Sequence, residues 1–166
     1  MGAGKVLGII GACICLASLL LSMVFPLWFS WYRVSISDGI TTLGIFLTGF
    51  GNFISEGIPP ITDFVFLTLI GAIILIAGAI ILIIGATKEV KIMGIIGGIL
   101  TLIAPILLLL NLSIGFYDFQ GLVGDPNVFW GLEMLGPGVL YSWGVWIGFF
   151  MAVVGGILGL VGGAIL

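Results

Sequence analysis

The sequence predicts an all-α membrane protein: a four-transmembrane-helix bundle with a small extracellular β-hairpin or sheet. Three observations carry that expectation. Of its 166 residues, 61% are hydrophobic and 7% charged, against roughly 45–50% and about 25% in soluble domains, so lipid must cover most of the surface. Four stretches, 6–25, 64–86, 92–110 and 143–166, each approach the ~20 residues needed to cross a bilayer's hydrocarbon, and none holds a charged residue. The segments between spans, 27–63 and 111–142, carry six of the seven acidic residues, and all five tryptophans lie in or beside them. Residues 1–166 read as a single tetraspan domain.

Span one, with Lys5 ahead of an apolar run, imitates a secretory signal, but its run is too long and no small-x-small cleavage site follows. Ile10-Gly11-Ala12-Cys13 and Met1-Gly2 only loosely resemble lipidation signals. Cys13 and Cys15 stand two apart on a helix, point to different sides and cannot bridge each other. Beyond this span, Arg33 to Ser37 alternates polar and apolar residues, Asp38-Gly39 is a favoured two-residue turn, and Ile40 to Leu47 continues with β-formers, which predicts a hairpin. A lone hairpin is marginal in water and must rest on the second outer segment. Phe46 to Ile54 reads as interfacial, and Pro59-Pro60 stiffens the entry to span two.

Span two carries 15 Phe, Val, Leu and Ile residues, which favour insertion by roughly 4 to 9 kcal/mol. The short turn Thr87 to Lys91 makes spans two and three an antiparallel hairpin. In span three, Pro105 leaves the Thr101 carbonyl without its helical donor and predicts a kink. Lys5, Lys88 and Lys91 flank the spans on one side against Arg33 on the other, which places both termini in the cytoplasm of a multi-pass plasma-membrane protein.

The function classes narrow by exclusion. No ionisable residue lies at depth, which argues against an ion-coupled carrier. The chain has no histidine, and so lacks the usual general base, the commonest nitrogen metal ligand and the usual partner of a nucleophile. No catalytic residue, cofactor or metal is expected, and the chain reads as non-enzymatic. Asp38, Glu56, Asp63, Asp118, Asp125 and Glu133 are widely spaced, form no calcium-loop pattern and make the outer surface attractive to cations. A net charge of −3 with four basic residues excludes nucleic acid as a partner. Asn111-Leu112-Ser113 fits the glycosylation acceptor pattern at the membrane edge.

Two groups of residues point to partners. Gly71, Gly78 and Gly85 on span two, and Gly155, Gly159 and Gly163 on span four, recur at helix-packing intervals; they can close the bundle itself or receive another membrane subunit or a second copy. Trp28, Trp31, Arg33, Phe46, Tyr117, Trp130 and Trp143 gather at the outer end, as an aromatic belt with the core of a small outer domain, or as a contact surface for another protein.

The layout resembles the claudin-like tetraspan superfamily, which includes peripheral myelin proteins and gamma-type channel subunits. Pro26-Leu27-Trp28 is similar to the family's Pro-x-Trp, and Arg33-Val34-Ser35 continues as its first strand would. Gly44-Ile45-Phe46 stands in place of Gly-Leu-Trp, and Phe116-Tyr117-Asp118 in place of Phe-Tyr-Asn. Glu133-Met134, Leu140-Tyr141, Trp143 and Gly155-Gly156 fall near further family motifs. The two loop cysteines of the family and a cytoplasmic tail are absent. The resemblance implies a left-handed four-helix bundle under a small outer sheet, and a habit of lateral association. The expected function is thus a structural or accessory subunit of a membrane complex, in contact with the lipid bilayer and with other subunits or itself; a cation-favouring pore between copies and a claudin-like adhesion or barrier protein are the alternatives.

Overall fold

A computed structural model of the chain describes residues 2–57, 65–115 and 129–166. Four of its helices are long and apolar enough to cross a membrane: α1 (Ala3–Val24), α3 (Phe66–Lys88), α4 (Lys91–Gly115) and α5 (Ile147–Ala164). A short helix α2 (Pro26–Phe29) follows α1, with Pro26 at its first position, where the missing N–H costs nothing. Strands β1 (Tyr32–Ser37), β2 (Thr42–Leu47) and β3 (Phe53–Glu56) precede α3, and β4 (Trp130–Gly136) and β5 (Val139–Val145) precede α5. The protein is thus a mostly helical multi-pass membrane protein with one small antiparallel sheet.

The long helices form a ring in which α1 packs on α3 and α5, and α4 on α3 and α5. Glycines set the spacing. A methyl group at Gly11 would meet the Gly159 N at 2.5 Å and the Gly155 O at 2.6 Å, and one at Gly85 would meet the Gly94 N at 2.5 Å. In lipid there is little hydrophobic drive between helices, and such backbone approach supplies the van der Waals contact that holds them. Three hydroxyls at depth bond within their own helices, Ser18 to the Cys15 carbonyl at 2.7 Å, Ser22 to Leu19 at 2.7 Å and Thr101 to Gly98 at 2.8 Å, whereas the Thr68 hydroxyl of α3 is buried without a partner. Helix α4 runs unbroken through Pro105.

The sheet has the order β3-β2-β1-β5-β4, all pairs antiparallel, so both inter-span segments build it and β1 joins them. One face presents Tyr32, Val34, Leu47, Tyr141 and Trp143, which are buried in one cluster with Leu19 and Cys15 of α1, Leu75 of α3, Leu108 of α4 and Phe149 of α5. The sheet is therefore continuous with the core of the bundle. Ser30 and Trp31 fasten it: the Trp31 N–H donates to the Leu47 carbonyl, while the Trp31 and Ser30 carbonyls accept from Trp146 and Gly148.

Several boundaries differ from those read in the sequence. Trp143, placed at the start of span four, lies in β5, and the helix begins only at Ile147; alternation of buried and exposed residues along Val139–Val145 marks a strand within a run that is apolar throughout. Phe46 to Ile54, read as interfacial, contains the end of β2, a turn and the start of β3. Its turn is seated on the helices, with the Gly49 N–H donating to the Ser22 hydroxyl of α1 at 3.0 Å and the Val65 N–H to the Gly51 carbonyl at 2.9 Å. The hairpin turn is shifted by one residue, because β1 and β2 pair Ser37 with Thr42. Gly39 and Ile40 are central, with Gly39 at φ 85°, and Asp38 closes the turn with its carboxylate. The link between α3 and α4 is only Glu89 and Val90, with Glu89 left-handed at φ 57°. Asn111 lies inside α4. Pro59-Pro60 and Asp63 lie outside the described residues.

Candidate interaction site at the sheet end

The six span glycines proposed for packing all face other helices of this chain. Gly71 approaches Ala104, Gly78 approaches Leu100 and Thr101, Gly85 approaches Gly94, Gly155 approaches Gly11 and Cys15, Gly159 approaches Leu82, and Gly163 approaches Gly94. None of these six remains on the lipid-facing surface as a seat for another subunit.

The aromatic set divides in two. Trp31 is 0% exposed, Phe46 2% and Trp143 5%, so these three belong to the interior of the chain and do not form an outer surface. Glycines make room for all three: a methyl at Gly49 would meet the Trp31 indole at 2.8 Å, Gly131 pairs opposite Trp143 across the sheet, where a methyl would strike the indole, and the Phe46 ring lies over Gly44. Trp28 and Trp130 stay exposed, at 63% and 72%. Tyr117, with Phe116, Asp118 and Asp125, lies outside the described residues.

Arg33 occupies the sheet face turned away from the Tyr32–Val34 core. Its guanidinium carbon lies 5.5 Å from the Phe46 ring centre and 5.1 Å from that of Trp146, within the range of cation–π attraction. Its Nε is buried without a hydrogen-bond partner. Burial pushes its pKa down, and the Glu56 carboxylate on the same face pulls the other way. Beside it the Ser35 and Ser142 hydroxyls bond across β1 and β5 at 2.7 Å. A cavity of about 230 Å³ opens here between Arg33, Ser35, Ser142, Trp143, Gly144 and Trp146.

Other titrations at this end follow from burial and hydrogen bonding. Burial, then the neighbouring Tyr141, raises the Tyr32 phenol pKa; burial, then Glu133, raises that of Tyr141. Asp38 is held below its usual 3.8 by the Thr41 and Ile40 N–H groups and the Thr41 hydroxyl. Among the described residues no three His, Cys, Asp or Glu side chains converge on one point.

Sequence reasoning missed strand β4. Trp130, Leu132 and Met134 project from one of its faces, 72%, 68% and 68% exposed, with Phe129 at 51% just before them. The signal was present: large apolar residues alternate at 130, 132 and 134, and Pro137-Gly138 is a turn dipeptide whose Gly138 adopts φ 81°, as a type II turn requires. Among the described residues β4 is an edge strand, paired only with β5. The chain matches no protein-family model and no curated protein.

Proposed function

We propose that the chain is a non-enzymatic structural or accessory subunit of a membrane protein complex, of the claudin-like tetraspan kind that its motifs resemble. In this reading both termini are cytoplasmic, the sheet stands outside the plasma membrane, and a partner subunit or second copy docks along β4. The exposed row Trp130, Leu132 and Met134 carries the reading. Soluble surfaces seldom leave large apolar side chains contiguous, and an edge strand offers unpaired backbone groups to a neighbour.

An interfacial aromatic belt accounts for Trp28 and Trp130 but not for the whole row. Trp130 is level with Gly144, three residues before α5, whereas Met134 pairs with Leu140, which pairs in turn with Ser37 at the far tip of the sheet. Four strand residues advance about 13 Å, beyond the roughly 5–8 Å of headgroup that covers the hydrocarbon on each side. Met134 therefore stands in water unless a partner covers it, with Leu132, about 7 Å along the strand, at the outer limit of the headgroups. The glycine stripes, occupied within the bundle, leave this role to the sheet.

Extraction in mild detergent, followed by mass measurement by light scattering, tests the proposal. A particle larger than the 17.4 kDa chain plus its detergent is expected, and Leu132→Ser with Met134→Ser should reduce it to a single chain. A partnerless monomer from the wild type, or a complex indifferent to both substitutions, would count against it.

A further inference from the structure

We propose that the cavity beside Arg33 binds the phosphate group of a membrane phospholipid, with the guanidinium as its anchor and the Ser35–Ser142 pair as a second donor. Arg33 is flanked by rings on two sides, its Nε is buried and unbonded, and the ion pair present among the described residues is at the opposite end, between Lys5 and Glu89. Glu56 shares the sheet face, two strands from Ser35, and forms no ion pair with Arg33. A part-exposed guanidinium whose Nε is buried and unbonded gains most from an oxyanion that accepts two of its N–H groups at once, as carboxylates and phosphates do.

The cavity is shaped for that group. Across the sheet the row containing Arg33 reads Ile54, Phe46, Arg33, Gly144, Trp130, so glycine leaves the guanidinium uncovered on the side away from Phe46. Of the two serine hydroxyls 2.7 Å apart, one proton is used within the pair and the other is available to a ligand oxygen. The volume of about 230 Å³ suits a headgroup rather than a peptide segment.

Depth selects a lipid as the source. Arg33 pairs with Gly144, and Trp146 immediately precedes α5. Arg33 is thus level with a point three strand residues, roughly 10 Å along the strand, before α5, and its guanidinium carbon lies 5.1 Å from the ring of Trp146, which borders the span. Lipid phosphates occupy the layer just outside the ~30 Å hydrocarbon. Trp146 of the wall, 37% exposed, is of the type that settles at that level.

Native mass spectrometry of the full chain, released from detergent after addition of phosphatidylglycerol, tests the assignment. One lipid should be retained, and Arg33→Gln should weaken retention at least about tenfold, with Arg33→Lys intermediate and Ser35→Ala with Ser142→Ala several-fold weaker. Helical circular dichroism and the detergent melting point identify variants that have not folded, and the serine pair keeps the test decisive if Arg33→Gln is one of them. Diacylglycerol of the same chains should not be retained, and millimolar inorganic phosphate should not displace the lipid. Equal retention by folded Arg33→Gln, by the folded serine pair variant, or of diacylglycerol would overturn the proposal. Displacement by inorganic phosphate would assign the cavity to the free ion, and displacement by an acidic peptide to a protein carboxylate; either would overturn a lipid site.

Discussion

Replacing Gly11 by alanine should open the α1–α5 crossing. The added methyl would lie 2.5 Å from the Gly159 N, 2.6 Å from the Gly155 O and 2.9 Å from the Gly159 Cα, nearly 1 Å inside the ~3.5 Å of ordinary contact. All three atoms are backbone, so no rotamer change relieves the clash and one helix must move. Overpacking of this kind costs about 1–3 kcal/mol, and alanine's better helix propensity returns at most about 1 kcal/mol. With the full return, the net loss is up to about 2 kcal/mol. Gly71→Ala is the matched control: its methyl would meet Ala104 at 3.3–3.5 Å, the propensity gain is the same, and the variant should stand about 1–3 kcal/mol above Gly11→Ala. Reversible unfolding in mixed micelles by added dodecyl sulfate, followed by helical circular dichroism, measures both. If Gly11→Ala proves as harmless as Gly71→Ala, close backbone approach is not what fixes the ring, and the account of its packing fails.

Glu89→Gly should stabilise the protein by about 0.5–1 kcal/mol in the same titration, because a non-glycine residue at φ 57° carries a left-handed penalty of roughly 1 kcal/mol. The ion pair it gives up is 3.8 Å long with Glu89 68% exposed, worth well under about 1 kcal/mol; a destabilised variant would reverse that ranking. The Asp38 carboxyl, held below 3.8 by the Thr41 and Ile40 donors, contributes fully to the hairpin turn above that pH, and its contribution is lost as pH falls through the folded-state value. Carboxyl carbon NMR should give a midpoint below 3.8 that rises in Thr41→Ala, and a wild-type midpoint at or above 3.8 would refute the hydrogen-bonded turn. Ile40, 94% exposed at the sheet tip, and Thr87, exposed at the lysine end, report orientation. With Cys13 and Cys15 replaced, an impermeant maleimide on intact cells should label Ile40→Cys and not Thr87→Cys, and the opposite pattern would invert the proposed topology.

The spans were legible because a bilayer asks one simple thing of a sequence, a run of apolar residues about 20 long, and 64–86 supplies it without ambiguity. Strand β5 was not, for the same reason: Val139 to Val145 flows into the apolar Ile147–Ala164, and hydropathy cannot distinguish a buried strand from the first turns of a span. Lone glycines gave the packing stripes but not their partners; whether Gly155 faced Gly11 or a foreign helix depended on the ring order, a tertiary fact. The first hairpin was readable from alternation at Arg33–Ser37, yet its turn moved by one residue because the Asp38 carboxylate accepts the Ile40 and Thr41 N–H groups, a local bond that dipeptide preference does not weigh. Tryptophan count located the sheet end, but Trp31 and Trp143 were drawn inside by Gly49 and Gly131, whose missing side chains leave space for their rings.

These two kinds of glycine lead to one consequence for recognition. Helices sealed to each other by backbone contact present mostly aliphatic side chains outward, among them Ile73, Ile80, Ile99, Ile106 and Ile157, and such side chains differ little from acyl tails. A partner gains almost nothing by exchanging lipid for them, so selective association has to be made where the chain leaves the hydrocarbon. There the sheet supplies what the helices lack: a strand edge that is unpaired among the described residues, an apolar row carried about 13 Å along the strand, and a guanidinium held between rings. Because the opposite face of the same sheet shares its core with Leu19, Leu75 and Leu108, a load on β4 is borne by the whole bundle, and separating the sheet from the helices would cost the buried contacts of both.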